Sequence, residues 1–245
     1  MSTKYSVWVS EPQFSYVEIA HACGVRRLVL DIEHGIFPLH AMDQFIAFAK
    51  AKGMNVLSKV AGPHAEAIQQ AIDCGSDGVI VPHIINAEHA ADVCGVAKFP
   101  SRGTRSYYGG RPVNYMKPAT DYFASEDRRV RCLPMIETGT ALAEVEKIAA
   151  LDVVDGLFPG PTDLALTKGQ GFYSFDDTSR ADILRCARAA RAVGKTWVLP
   201  AWTPAERIFA RENGADEVVI VTQYSAIRNG IQGALKHLAD EGFDL

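Results

Sequence analysis

The apolar run from Leu28 to Leu30 breaks off into Asp31, Glu33, His34 and Gly35. A run this short reads as a buried strand, and packing gives no reason for two acids and an imidazole at its carboxyl end. Asp31 and Glu33 are two residues apart, so on a strand both point to one side. Two more apolar runs end the same way, one at Glu137 and one at Asp163, while others end at Lys59 and at Pro82-His83. Glu137 and Asp163, with no thiol or histidine cluster beside them, suit a hard divalent cation. Mg2+ or Mn2+ come first, with Co2+ and Zn2+ left open. Such an ion can polarise a carbonyl and stabilise an enolate. His34 is the natural base, since an imidazole titrates near pH 6.5, and Asp31 could orient it. Lys59 offers charge to a carboxylate or a developing oxyanion. The turn Gly160-Pro161-Thr162-Asp163 opens a helix whose free N–H groups can hold a substrate carboxylate.

Plainer roles exist for each residue. Asp163 could be only a helix N-cap, Glu137 could pair with a basic side chain, His34 could be structural, and Lys59 could lie on the outer surface. His21, His40, His64, His89 and His237 fall in helical or loop contexts and read as surface or packing residues. Only the set as a whole points to a site.

The elements that must position this set alternate along the chain. Strands are expected at 5–9, 27–33, 55–60, 77–81, 131–136, 154–158, 196–199 and 217–221. Helices between them are bracketed by Pro12 and Gly24, Pro38 and Gly53, Asn86 and about Lys98, and Thr203-Pro204 and Gly214. Residues 99–130 read as a long irregular stretch that is functional or holds short helices. Eight strand–helix units imply right-handed crossovers and a parallel sheet closed as a single (β/α)8 barrel over residues 1–245. An open doubly wound sheet is the alternative, but no Gly-rich dinucleotide fingerprint follows the first strands.

Composition narrows the class. The 245 residues are 48% hydrophobic, enough for a full core, and the net charge of -4 gives no basic excess for nucleic acid or an anionic membrane surface. No long apolar segment suggests a signal peptide or a membrane span. Five widely spaced cysteines read as reduced thiols in a cytoplasmic protein.

Together these motifs resemble the HpcH/HpaI family of class II pyruvate aldolases. The resemblance rests on Asp31-Ile-Glu-His34, on Lys59 through Ile72-Asp-Cys-Gly75 to Val81-Pro82, and on Phe99-Pro-Ser-Arg-Gly-Thr-Arg105. It continues through Ile136-Glu-Thr138 and Asp155-Gly-Leu-Phe-Pro-Gly-Pro-Thr-Asp-Leu164. It implies a pyruvate-type (β/α)8 barrel that cleaves a 4-hydroxy-2-oxo acid to pyruvate, or a related 2-oxo acid, and an aldehyde. It implies Glu137 and Asp163 as metal ligands, His34 as base paired with Asp31, and Glu33 acting through water at the metal. The N–H groups of Thr162 and Asp163 would hold the pyruvate carboxylate. It further implies a hexamer of dimers with an exchanged terminal helix, and Asp73 as a candidate to reach a site shared between subunits.

The chain departs from the family pattern at Lys59 (arginine in the family), Met135 (glutamine), His83 (an apolar residue) and Val219 to Gln223 (V-G-x-D). Oxaloacetate decarboxylation and an acyl-CoA lyase reaction are enzyme alternatives. A barrel that binds metabolites without catalysis is the non-enzyme alternative.

Overall fold

A computed structural model describes residues 3–243. Its strands are β1 (Lys4–Val9), β2 (Arg27–Asp31), β3 (Asn55–Lys59), β4 (Gly78–Val81), β5 (Arg131–Ile136), β6 (Gly156–Pro159), β7 (Thr196–Pro200) and β8 (Glu217–Thr222). They pair in parallel in chain order, and β8 returns to β1 to close the ring. The architecture is therefore the expected (β/α)8 barrel and not the open sheet.

Period-two alternation explains why these sequences build it. Trp8, Val29, Leu57, Ile80, Leu133, Met135, Phe158, Val198 and Val219 meet inside the barrel. The intervening residues, such as Leu28, Leu30 and Val56, pack outward beneath helices. Strands buried on both faces read as continuous apolar runs, as β4 does. The same alternation carries to the strand ends. Asp31 follows Val29, Lys59 follows Leu57 and Glu137 follows Met135, all on the inward side.

The helices are α1 (Phe14–Ala22), α2 (Leu39–Ala51), α3 (Ala65–Asp73), α4 (Ala87–Gly95), α5 (Tyr122–Arg129), α6 (Gly139–Ala143), α7 (Val145–Ala150), α8 (Pro161–Thr167), α9 (Asp177–Ala192), α10 (Pro204–Glu212) and α11 (Gln223–Asp240). Asn86 caps α4 through the His89 N–H, and Thr203 with Glu206 forms a capping box on α10. The irregular stretch after α4 holds a 3-10 turn, Arg111–Val113, and then α5.

One expectation changes in a way that matters for the site. The second strand ends at Asp31, so Glu33 lies in the following turn and not on the strand. That turn folds tightly back on itself. A Cβ on Gly35 would sit 2.0 Å from the Asp31 carbonyl oxygen and 2.4 Å from that of Ser10. Glycine at 35 is thus what lets Glu33 and His34 turn over the barrel mouth.

The last helix departs from the usual pattern. In α11 only Gln223 is buried, while Ile227, Ile231, Leu235 and Leu238 form an exposed apolar stripe. A cavity of about 600 Å³, lined by Tyr5, Ile208, Val218 and Ile220 among others, lies open beside β8. Among the described residues no helix is long and apolar enough to cross a membrane. All five cysteines are free; Cys23 is exposed and the others are buried.

Candidate active site

Lys59 lies inside the mouth, with only 3% of its side chain exposed, and not on the outer surface. Its Nζ is ion-paired with Glu33 Oε2 and lies 3.7 Å from Asp31 Oδ1. The Trp8 ring is 6.0 Å away, and its indole N–H donates to Asp31 Oδ2 at 3.0 Å. Burial opposes ionisation of Glu33. The hydrogen-bonded Lys59 ammonium, with His34 and His83 nearby, nevertheless holds its carboxyl below the usual value.

His34 reaches the mouth by a different route from the one expected. Its backbone N–H donates to Asp31 Oδ1 at 3.1 Å, whereas its ring Nε2 lies 3.6 Å from Glu33 Oε2. The expectation that Asp31 orients the imidazole is corrected: Asp31 fixes the His34 backbone and the Trp8 indole, and Glu33 faces the ring. The physical reason is the turn at Gly35, which carries His34 off the strand. The ring itself is 66% exposed, open to an incoming molecule.

Glu137 is buried at the end of β5, and its Oε1 accepts the His83 backbone N–H at 2.5 Å. Burial pushes the Glu137 carboxyl up. The charges of His83 and Lys59 oppose this, and the negative charge of Asp163 reinforces it. Asp163 is the third residue of α8, and the cap position belongs to Gly160, so Asp163 is not an N-cap. Gly160 permits the close approach of the two elements. A Cβ there would meet Met135 Cε at 2.6 Å and Glu137 Cβ at 2.9 Å. Pro161 is buried at the start of α8 and Thr162 is exposed. The N–H groups of Thr162 and Asp163 belong to a first turn, where a helix leaves its donors without intrahelical acceptors.

Asp73 does not join these groups within its own chain. It ends α3, and a helix returning between parallel strands finishes at their amino ends, away from the mouth. There it lies 3.7 Å from Arg105; burial pushes its carboxyl up against that pull.

Three features escape sequence reasoning. Trp8 forms the wall beside Asp31, and Trp202, just beyond β7, packs edge-on against it with ring centroids 6.4 Å apart. Period two in β1 already puts Trp8 on the same face as Ser6 and Ser10, a signal that was there to read. His83, expected at a strand end but with no role assigned to it, bridges two of the acids: its ring Nε2 contacts Glu33 Oε1 at 2.5 Å, and its Nδ1 lies 3.5 Å from Glu137 Oε1.

Glu137 and Asp163 are the pair suited to a divalent ion. Among the described residues no group of three His, Cys, Asp or Glu side chains forms a closed metal cage. Two carboxylates leave coordination positions for substrate, and the burial and the Asp163 charge that together push the Glu137 carboxyl up are what a cation between the two would relieve. The residues therefore fit the ion.

Comparison with known proteins finds relatives in sequence and in fold. Over 168 residues the chain is 30% identical to the 2-dehydro-3,6-dideoxy-6-sulfogluconate aldolase of Pseudomonas putida, covering 69% of this chain and 66% of that protein. It is 33% identical over 172 residues to the 4-hydroxy-2-oxovalerate aldolase of Novosphingobium aromaticivorans, with 69% and 65% covered. The match thus spans just under two thirds of the length of each relative. The fold matches the crystal structure of an HpcH/HpaI aldolase from Desulfitobacterium hafniense DCB-2 with a TM-score of 0.91 at 20% identity, covering 100% of this chain and 96% of that one. The family model for HpcH/HpaI aldolase/citrate lyase matches residues 4–218, and the chain belongs to that family.

Proposed function

We propose that this barrel is a metal-dependent carbon–carbon lyase that cleaves a 4-hydroxy-2-oxo acid to pyruvate, or a related 2-oxo acid, and an aldehyde. The observation that carries the reading is the meeting of Glu137, Asp163, Lys59, Glu33 and His34 at one mouth of the barrel. Family membership and the aldolase names of the relatives support it.

Glu137 and Asp163 would hold the divalent ion, Mg2+ or Mn2+ first. When bound, that ion supplies Lewis acidity at the ketone of the 2-oxo acid. The chain's own residues do the rest. The N–H groups of Thr162 and Asp163, beside Gly160 and Pro161, receive the substrate carboxylate. His34, directly or through a water, takes the proton of the 4-hydroxyl as the C3–C4 bond opens, and the hydroxyl carbon leaves as an aldehyde. The electron pair of that bond passes into the 2-oxo acid fragment, and a proton delivered to C3 completes the product. Lys59 places positive charge beside the oxygen that gains negative charge. Trp8 and Trp202 wall the mouth and limit water.

The test is pyruvate release from a panel of 4-hydroxy-2-oxo acids of differing aldehyde length and charge. Turnover of at least one is expected. Tight 2-oxo acid binding with no turnover of any would favour the metabolite-binding alternative. The free thiols fit a reducing compartment, the cytoplasm.

The working form in this proposal is a homo-oligomer, a hexamer built from dimers. The exposed apolar stripe of α11 and the open cavity beside β8, which Tyr5, Ile208, Val218 and Ile220 line together with Arg207 and Arg211, support reciprocal exchange of the last helix between two copies. A neighbour would also supply Asp73 to the mouth. The double substitution Ile231→Glu and Leu235→Glu is expected to shift the protein to monomer in light scattering, because each buried aliphatic side chain contributes about 1.5–3 kcal/mol. An unchanged mass would refute the exchange.

A further inference from the structure

We infer that His83 is a positioning residue that ties the acid beside the base to the acid of the cation site. This rests on the lyase reading for its kinetic consequence, but not for its geometry. His83 has φ +59°, a left-handed conformation that a residue with a Cβ seldom adopts. That conformation gives the segment after β4 two contacts at once. The backbone N–H donates to Glu137 Oε1 at 2.5 Å, and the ring Nε2 meets Glu33 Oε1 at 2.5 Å. Glu33 in turn holds Lys59 through Oε2 and lies 3.6 Å from the His34 ring.

The contacts run Asp31–Lys59–Glu33–His83–Glu137 across the ends of four neighbouring strands, with the His34 ring at Glu33. Lys59 is the reason such a tie is useful. A guanidinium is a planar fork that fixes its own orientation against a carboxylate, whereas an ammonium on four methylenes is a point charge whose place depends on its partners. Glu33 is that partner, and with no strand to fix it, its placement falls to His83. The ring thus acts through Glu33 on both Lys59 and His34, while the backbone N–H sets Glu137.

Four variants separate ring from backbone. His83→Gln keeps a donor at the reach of Nε2. His83→Asn keeps one only at the reach of Nδ1. His83→Ala keeps the N–H and drops the ring, and His83→Gly does the same while relieving the left-handed conformation. The expected result is kcat/KM within about 3-fold of wild type for Gln and a loss of about 10–100-fold for Asn, Ala and Gly, the range typical of orienting partners. His83→Gly should melt no lower than wild type, so its loss is not a folding defect. Equal losses for Gln and Gly, or full activity of Gly, would overturn the proposal.

A readout independent of activity is the imidazole ¹⁵N spectrum. Glu33→Gln is expected to shift the His83 ring resonances, identified by their absence in His83→Gln. Unmoved resonances would refute the contact whether or not the protein is a lyase. An inactive wild type with shifted resonances would sink the lyase reading alone.

Discussion

Replacing Glu137 with glutamine is expected to lower lyase turnover by about 1,000-fold while leaving the barrel folded. The side chain is buried at the end of β5, and its volume is kept by the amide. What disappears is one of the two anionic donors proposed for the cation. Loss of about 4 kcal/mol of charge stabilisation in the transition state corresponds to about three decades in rate. The burial that pushes the Glu137 carboxyl up also means that the neutral amide removes a desolvation cost, so the variant should melt at or above the wild-type temperature. Turnover and calorimetry on the same preparation check both halves. Activity within 10-fold of wild type would remove Glu137 from the cation site.

The second large effect is at Lys59. Lys59→Ala leaves Glu33 and Asp31 facing each other without their cation, in a place only 3% exposed. Removing one partner of a buried pair costs about 3–5 kcal/mol of stability, and losing the charge at the developing oxyanion lowers kcat by about 100–1,000-fold. The pH dependence has a defined sign. Because the pair holds the Glu33 carboxyl below its ordinary value, its contribution is present above the unfolded pKa of about 4.3 and is lost as pH falls through the folded value. The stability gap between wild type and variant should therefore narrow on acidification below about pH 4.3. Lys59→Arg keeps the charge and is expected to stay within about 10-fold of wild type. Borohydride with pyruvate should leave no covalent adduct on Lys59, since its nitrogen is committed to Glu33 and Asp31. A trapped adduct would move the chemistry to a Schiff base.

What was legible in the sequence follows from which physical rules are local. Period two is local, so the inward line through Val29 to Asp31, Leu57 to Lys59 and Met135 to Glu137 could be read from the chain. Caps are local too, and Asn86 and the Thr203–Glu206 box are where the pattern puts them. The turn after Asp31 is not local. Its path depends on Gly35 meeting the Ser10 carbonyl, a contact between the segments that follow β1 and β2, which no window around residue 33 reveals. The local pattern accordingly puts Glu33 on the strand and Asp31, rather than Glu33, beside the His34 ring, whereas the turn reverses this. Trp202 has the same origin: its role comes from Trp8, nearly the whole chain away. His83 stands out in the sequence as a strand-end residue and as a polar residue where the family has an apolar one, but its contacts follow from a backbone angle that the sequence does not show. The exposed face of α11 looks in sequence like any amphipathic helix, because amphipathicity marks an apolar face and does not say what, if anything, packs on it.

The most direct test of the central claim is pyruvate release from a 4-hydroxy-2-oxo acid by wild-type protein before and after exhaustive EDTA treatment, followed by stepwise return of Mg2+ or Mn2+. Metal-dependent lyase chemistry at Glu137 and Asp163 predicts turnover that falls to background with chelation, returns in proportion to metal occupancy, and does not return in Glu137→Gln. Turnover that survives chelation unchanged, or that metal restores equally in the variant, would contradict it.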